Sequence, residues 1–268
     1  MDKAPMLVPI LPPTAFLDFE HWLSPGRHLS PVFTAHFTIA GKEQRMYCKP
    51  YRLREDKGLF NEIAGYIVAH SRGLPLPRNA CLARIPAAAV PERRQHCRKI
   101  YEWVQQTKLI PVFCTSAVQA LAIPESMREK DIADWPTLAA AVVLDDSIAN
   151  TDRHPHNLLR TGKNQYILID HGILLTETDL SGNWTAADID GSKHYRNQLA
   201  DLAAHHHKTA AVIDAAERLP GITPPAWNEL QFWAKHLLTE EESELFLNFC
   251  RQREESASCL LKTRYNMI

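Results

Sequence analysis

Apolar and polar residues alternate along "VFTAHFTIA", where Phe33, Ala35, Phe37 and Ile39 are set against Thr34, His36 and Thr38. This period of two marks a strand with one covered face. The turn "GKEQ" follows and "RMYCK" alternates again, so the pattern predicts a β-hairpin ending at Lys49. After a charged loop, "LFNEIAGYIVAHSRG" brings Phe60, Ile63, Ile67 and Val68 round at helical spacing, and Gly73 and Pro75 stop the helix. "NACLARIPAAAV" and "LIPVFCT" read as short strands. A small sheet flanked by one helix results.

From about Asp134 the texture is helical. Asp134 with Pro136 makes a helix start, and "TLAAAVVLDDSIA" gathers Leu138, Val142 and Ile148 on one side. "LL" and "YILI" then flank the turn residues "TGKN" as a second hairpin, and the unbroken apolar run of the later strand predicts burial on both faces. Beyond Ser192 the chain reads as helix to the end, with Thr239 and Glu242 forming a capping box before "LFLNFCRQREESASCLLKTRY". The pattern predicts a bilobal α+β fold whose boundary falls near 110 to 118. Its parts are an N-terminal extension over 1–20, a β-rich lobe over 21–115 and a mostly helical lobe over 116–268. There is no repeat or low-complexity tract, and the short internal run "AHHHK" reads as solvated.

Composition narrows the function classes. A chain of 268 residues buries an ample core as one domain or two lobes. Its formal net charge of -1 gives no global field for nucleic acid or membrane, so any basic site is local. The six cysteines, Cys48, Cys81, Cys97, Cys114, Cys250 and Cys259, include no C-x-x-C pair. That argues against a structural zinc site and a disulfide framework, and for free thiols in a reducing cytoplasm. The start "MDKAPMLVPILPP" is broken by Pro5, Pro9, Pro12 and Pro13 and makes a poor signal peptide. No window approaches about 18 uninterrupted apolar residues, so no membrane span is expected. The expected location is cytoplasmic.

The chemistry concentrates in "DRHPHN", Asp152 to Asn157, which could be a metal cage, a catalytic loop or a polar turn. For His154 and His156 the polar turn is the plainer reading, because helical H-x-x-x-H or dispersed ligands are the commoner metal arrangements. Asp152 and Asn157, however, have the spacing of the protein-kinase catalytic loop D-x-x-x-x-N, in which the Asp accepts the substrate hydroxyl proton and the Asn holds Mg²⁺. Thirteen positions after Asn157, at the end of the buried strand, stands Asp170, followed by His171 and Gly172, where kinases carry D-F-G. Phosphoryl transfer needs an anionic base near the nucleophile and hard oxygen ligands for Mg²⁺, and a short hairpin sets two such ligands side by side. Upstream, Lys49 ends a strand, and Glu62 follows thirteen residues later on the first amphipathic helix. A strand Lys that touches phosphates and pairs with a helix Glu is the other half of a kinase site. Each feature alone is weak; the ordered set is specific.

The stretches "LDDSIANTDRHPHNLL" and "YILIDHG" resemble the HipA-like serine/threonine kinases, in which an Asp-Arg-His-x-x-Asn loop precedes an Ile-Asp-His-Gly strand end. Phosphatidylinositol kinases share the loop order. "LFNEIAGYIVAHSRGLPLP" is similar to the same family's N-E-x-x-A segment with its later L-G-L-P-x-P. The likeness covers roughly 20 to 262 in layout, with these two blocks specific. It implies a bilobal protein-kinase-like fold, ATP and Mg²⁺ as cofactors, Asp152 as base, Asn157 and Asp170 as metal ligands, Lys49 on the phosphates and Glu62 as its partner. Arg153 and His154 brace the loop in that reading. It further implies transfer to Ser or Thr of a protein, a toxin role with an antitoxin partner, and a substrate such as a translation factor or an aminoacyl-tRNA synthetase.

The sequence also departs from the family. "SPGRHLSPVF" has one glycine, Gly26, where a phosphate-covering loop belongs, so contact there falls to Arg27, Ser30 and nearby backbone amides. The family's inhibitory autophosphorylated serine points to Ser24 or Ser30. The family's full-length members carry an extra N-terminal subdomain, so the chain resembles their compact versions, in which a separate partner supplies the missing part. Three readings compete with the protein kinase. A lipid or small-molecule kinase would use the same loop, though no basic amphipathic helix of the membrane-surface kind is evident. A metal-dependent phosphohydrolase would use His154, His156, Asp170 and His171. A pseudokinase would serve as a binding module.

Overall fold

Why the first part of the chain makes a sheet is visible in its alternation. In the computed structural model, which describes residues 6–23, 31–52, 57–91, 108–179 and 181–267, Phe33, Ala35, Phe37, Met46 and Cys48 all enter one core. They belong to β2 (Phe33–Ile39) and β3 (Lys42–Pro50), paired antiparallel through Phe33 opposite Cys48. The turn between them is tighter than "GKEQ" predicts. Ala40 and Gly41 both take positive φ, 49 and 73 degrees, the mirror-image turn that suits the strands' right-handed twist, so β3 already begins at Lys42. Strands β4 (Ala80–Pro86) and β5 (Leu109–Ser116) form where the apolar runs predict. A strand that the pattern did not announce, β1 (Phe16–Trp22), pairs along β2. It explains why Thr34, on the polar register of β2, is buried: its hydroxyl donates to the carbonyl of His21 at 3.2 Å.

The sheet order is β1-β2-β3-β5-β4, antiparallel throughout, so β5 enters between β3 and β4. This register lines up Cys48, Cys114 and Cys81 across three strands, with the Cys48 and Cys114 sulfurs 3.4 Å apart. The five described cysteines are free thiols.

The other elements are mostly helical. They are α1 (Gly58–Ser71), α2 (Glu125–Ala133), α3 (Leu138–Ser147), the hairpin β6 (Leu158–Gly162) and β7 (Gln165–Leu168), then α4 (Gln198–His205), α5 (Thr209–Arg218), α6 (Pro224–Leu237) and α7 (Glu240–Arg264). Helix α1 is buried at every position from Gly58 to Ala69, because α6 packs on it and Phe60 meets Phe246 of α7 edge-on at 4.8 Å. Its apolar spacing therefore marks only part of what it buries. Helix α3 starts at Leu138, later than Asp134 suggests, because Asp134 caps the C-terminus of α2, a helix with no apolar stripe to reveal it. Strand β7 is not buried on both faces: Gln165 is exposed and Ile167 half-buried, while Tyr166 and Leu168 point inward. The Thr239 and Glu242 capping box forms as predicted, with Thr239 N–H on Oε2 of Glu242 at 3.0 Å.

Two compact units share these elements. One takes the described residues of 1–56 with 77–118 and holds the five-stranded sheet; the other takes 57–76 with 119–268 and holds the helices and the β6–β7 hairpin. By packing, α1 belongs to the second. The fold is α+β, as the pattern predicts. Among the described residues no helix is long and apolar enough to cross a membrane.

Candidate active site

The candidate loop is laced at both ends. After α3 the chain reverses at Ala149, whose φ of 50 degrees is left-handed. Ala149 then accepts the Leu175 N–H at 2.8 Å, Asn150 bridges Leu174, and the Thr151 hydroxyl donates to the Thr176 carbonyl. On the other side the β6–β7 ladder sets Leu158 opposite Leu168, and Ile169 N–H continues it onto the Asn157 carbonyl at 3.2 Å. Residues 152–157 and 169–173 are thus held in register, which makes neighbours of Asp152, Asn157 and Asp170. Within the loop the Asn157 amide donates to the Asp152 carbonyl at 2.9 Å, and Asp152 N–H meets Oδ1 of Asn150 at 3.3 Å.

Arg153 is the rivet. Its side chain is fully buried, with Nε on both carboxylate oxygens of Asp145 at 3.2 and 3.1 Å. Nη1 donates to the carbonyls of Asn157, at 3.1 Å, and Ile169. Nη2 lies 2.9 Å from Nδ1 of His171. A guanidinium only donates, so that ring nitrogen accepts and a neutral His171 carries its proton on Nε2. Burial pushes the Asp145 carboxyl up to about 6 against the opposing pull of Arg153. Asp145 was invisible as a site residue, although a buried carboxylate in the apolar "AAAVVLDDSIA" was its signal.

Helix α1 supplies the floor. Glu62, buried, accepts the His171 N–H on Oε2 at 2.9 Å. Its neighbour Asn61, which the spacing argument passed over, donates to the carbonyls of Gly172 at 2.8 Å and Gly182 at 3.0 Å and accepts the Trp184 indole N–H at 2.9 Å. The signal was the adjacency "NE" itself. Two glycines make this closeness possible. A Cβ on Gly65 would stand 2.4 Å from Cβ and Cγ of His171. Gly182, at φ +77 degrees, would set a Cβ 2.2 Å from the Gly172 carbonyl oxygen.

Asp170 itself is left-handed, φ 61 degrees, a conformation that costs on the order of 1 kcal/mol and that Asp tolerates better than most residues. Burial raises the carboxyl of half-buried Asp152; His154 pulls it down and the Asp170 charge pushes it up further. His154 is held toward neutrality chiefly by burial, and its Nδ1 accepts the His156 N–H at 3.2 Å. The Asp170 carboxylate and the amide oxygen of Asn157 are hard oxygen donors of the kind that would hold Mg²⁺. Among the described residues no three His, Cys, Asp or Glu side chains form a group that could hold a metal. His154, His156, Asp170 and His171 therefore do not build the phosphohydrolase's cage. Lys49 lies on β3 of the sheet unit, opposite Phe113. Ser24, Gly26, Arg27 and Ser30 lie outside the described residues.

No family model matches the sequence, and no curated protein does. Among solved structures the chain is similar to the proinflammatory kinase CtkA of Helicobacter pylori, at 12% identity over 94% of this chain and 96% of that one, with a TM-score of 0.53. At that identity the likeness is one of fold.

Proposed function

We propose that the chain is an ATP- and Mg²⁺-dependent phosphotransferase that moves the γ-phosphate to a Ser or Thr hydroxyl of a protein. The observation that carries this is the lacing of Asp152, Asn157 and Asp170 into one register by two short backbone pairings and one buried arginine. Asp152 receives the acceptor hydroxyl's proton, and its raised carboxyl makes it a stronger base than an exposed aspartate. Asn157 and Asp170 hold Mg²⁺, which when bound neutralises charge on the phosphates. Lys49 contacts the phosphates. Burial makes His154 a weaker base than an exposed imidazole.

The likeness to HipA-like kinases extends this reading to a cytoplasmic toxin kinase with an antitoxin partner, a substrate in translation and autophosphorylation at Ser24 or Ser30. The test is incubation with labelled ATP and Mg²⁺, alone and with cell lysate, followed by mass spectrometry. A phosphorylated Ser or Thr that disappears with Asp152→Ala supports the proposal. Label in lipid or a small molecule overturns the acceptor assignment, and no transfer at all overturns the phosphotransferase.

A further inference from the structure

We infer that Asn61 is a positioning residue for Asp170, one that holds the backbone on the far side of His171 while Glu62 holds the near side. The inference rests on the phosphotransferase reading. Asn61 is fully buried, and the two carbonyls and one indole N–H around it leave a single orientation for its amide: Nδ2 toward Gly172 and Gly182, Oδ1 toward Trp184. No other side chain of that length offers two donors and one acceptor. Aspartate would turn oxygen toward both carbonyls, and serine reaches neither pair together.

What this grip acts on is Asp170. A left-handed non-glycine residue persists only where its surroundings over-determine it, and consecutive residues of α1 do so here. Glu62 takes the N–H of His171, the residue after Asp170, and Asn61 takes the carbonyl of Gly172, the next. The same amide ties Gly182, so the chain from 172 to 182 is closed at both ends on one side chain. That closure has its own anchor. Trp184 stacks on Phe246 at 6.0 Å and meets Phe60 at 6.5 Å. The Lys57 ammonium sits 4.3 Å over its ring and reaches Glu242 of the α7 capping box at 2.6 Å. Asn61 therefore refers the position of Asp170 to the N-terminus of α7 rather than to the hairpin alone.

The test uses the whole chain, as wild type, Asn61→Ser and Trp184→Phe. The last keeps a ring against Phe60 and Phe246 but removes the indole N–H, and so stays folded if Asn61→Ser does not. Two measurements are made: amide hydrogen exchange over 170–173 without nucleotide, and the Mg²⁺ concentration at half-maximal ATP-induced thermal stabilisation. Asn61→Ser is expected to speed exchange in that segment and to raise the Mg²⁺ midpoint about tenfold, the size of one lost buried hydrogen bond. Trp184→Phe shifts both in the same direction by less. Excess Mg²⁺ restores the stabilisation in each, a rescue that a merely loosened core does not give. Unchanged exchange, or an unchanged midpoint in both variants, overturns the role of Asn61. A wild-type chain that ATP and Mg²⁺ do not stabilise overturns the phosphotransferase reading instead.

Discussion

Arg153→Met keeps the length and the apolar stem of the side chain and removes its five hydrogen-bond contacts, two to the Asp145 carboxylate, two to carbonyls and one to His171. Both members of the pair are fully buried, and removing one partner of a buried ion pair costs about 3–5 kcal/mol because the other charge is stranded. Asp145 has one escape. Burial already pushes its carboxyl to about 6 with Arg153 in place, and without the guanidinium it rises further, so in the variant it takes up a proton. Between about 6 and that higher value the folded variant binds a proton that the unfolded chain, with an ordinary carboxyl, does not. The variant's deficit against wild type therefore shrinks as pH falls through this window, by at most about 1.4 kcal/mol per unit. Urea unfolding followed by tryptophan fluorescence reads it, since Trp184 and Trp233 are buried in this unit. At pH 8 the expected loss is about 4 kcal/mol, smaller at pH 6, and partly recovered when Asp145→Leu is added. A loss below about 1 kcal/mol, or a double variant as unstable as the sum of the singles, would refute the buried pair as the site's organiser.

The two carboxylates should part company on mutation: Asp152→Ala abolishes transfer but keeps ATP-induced thermal stabilisation, whereas Asp170→Ala loses the stabilisation, a difference that thermal shift and labelled transfer read together. Gly65→Ala drives a methyl into His171, 2.4 Å away; overpacking of this kind costs about 1–3 kcal/mol, and calorimetry should show a lowered Tm. Acidifying the wild type through about pH 6 protonates Asp145 and slackens Arg153, so ATP-induced stabilisation weakens there. Asp145's own contribution to folding moves the opposite way, growing as pH falls from about 6 toward the ordinary 3.8. Thr239→Ala removes the side-chain half of a capping box and should lower stability by about 1 kcal/mol in a denaturant melt.

Most of the sheet was legible because Phe33, Ala35 and Phe37 face one core at period two, and α1 because its apolar residues and Gly73 frame it. Strand β1 was not, since its burial follows no alternation: Leu17, Asp18, Glu20 and His21 all face solvent. Helix α2 hid for a related reason, burying only Ile132 and Ala133. The closeness of Asp152, Asn157 and Asp170 was readable from spacing because a hairpin converts sequence distance directly into register. Asp145 and Asn61 were not. What they do depends on carbonyls and a guanidinium brought in from elsewhere in the chain, and no periodicity encodes a backbone acceptor.

The division of the chain has a consequence for how it can be made. Residues 57–76 leave the sheet unit to join the helical one, and 77–118 return to finish the sheet, where β5 must slip between two strands already laid down. No single cut therefore separates the units. A nascent chain that has just completed β5 carries α1 with Gly58 to Ala69 bare of the surfaces that cover them, an apolar stretch open to self-association until the residues of α6 and α7 emerge. Protease sensitivity and chaperone demand should peak at that length of chain and fall once α7 closes over Phe60.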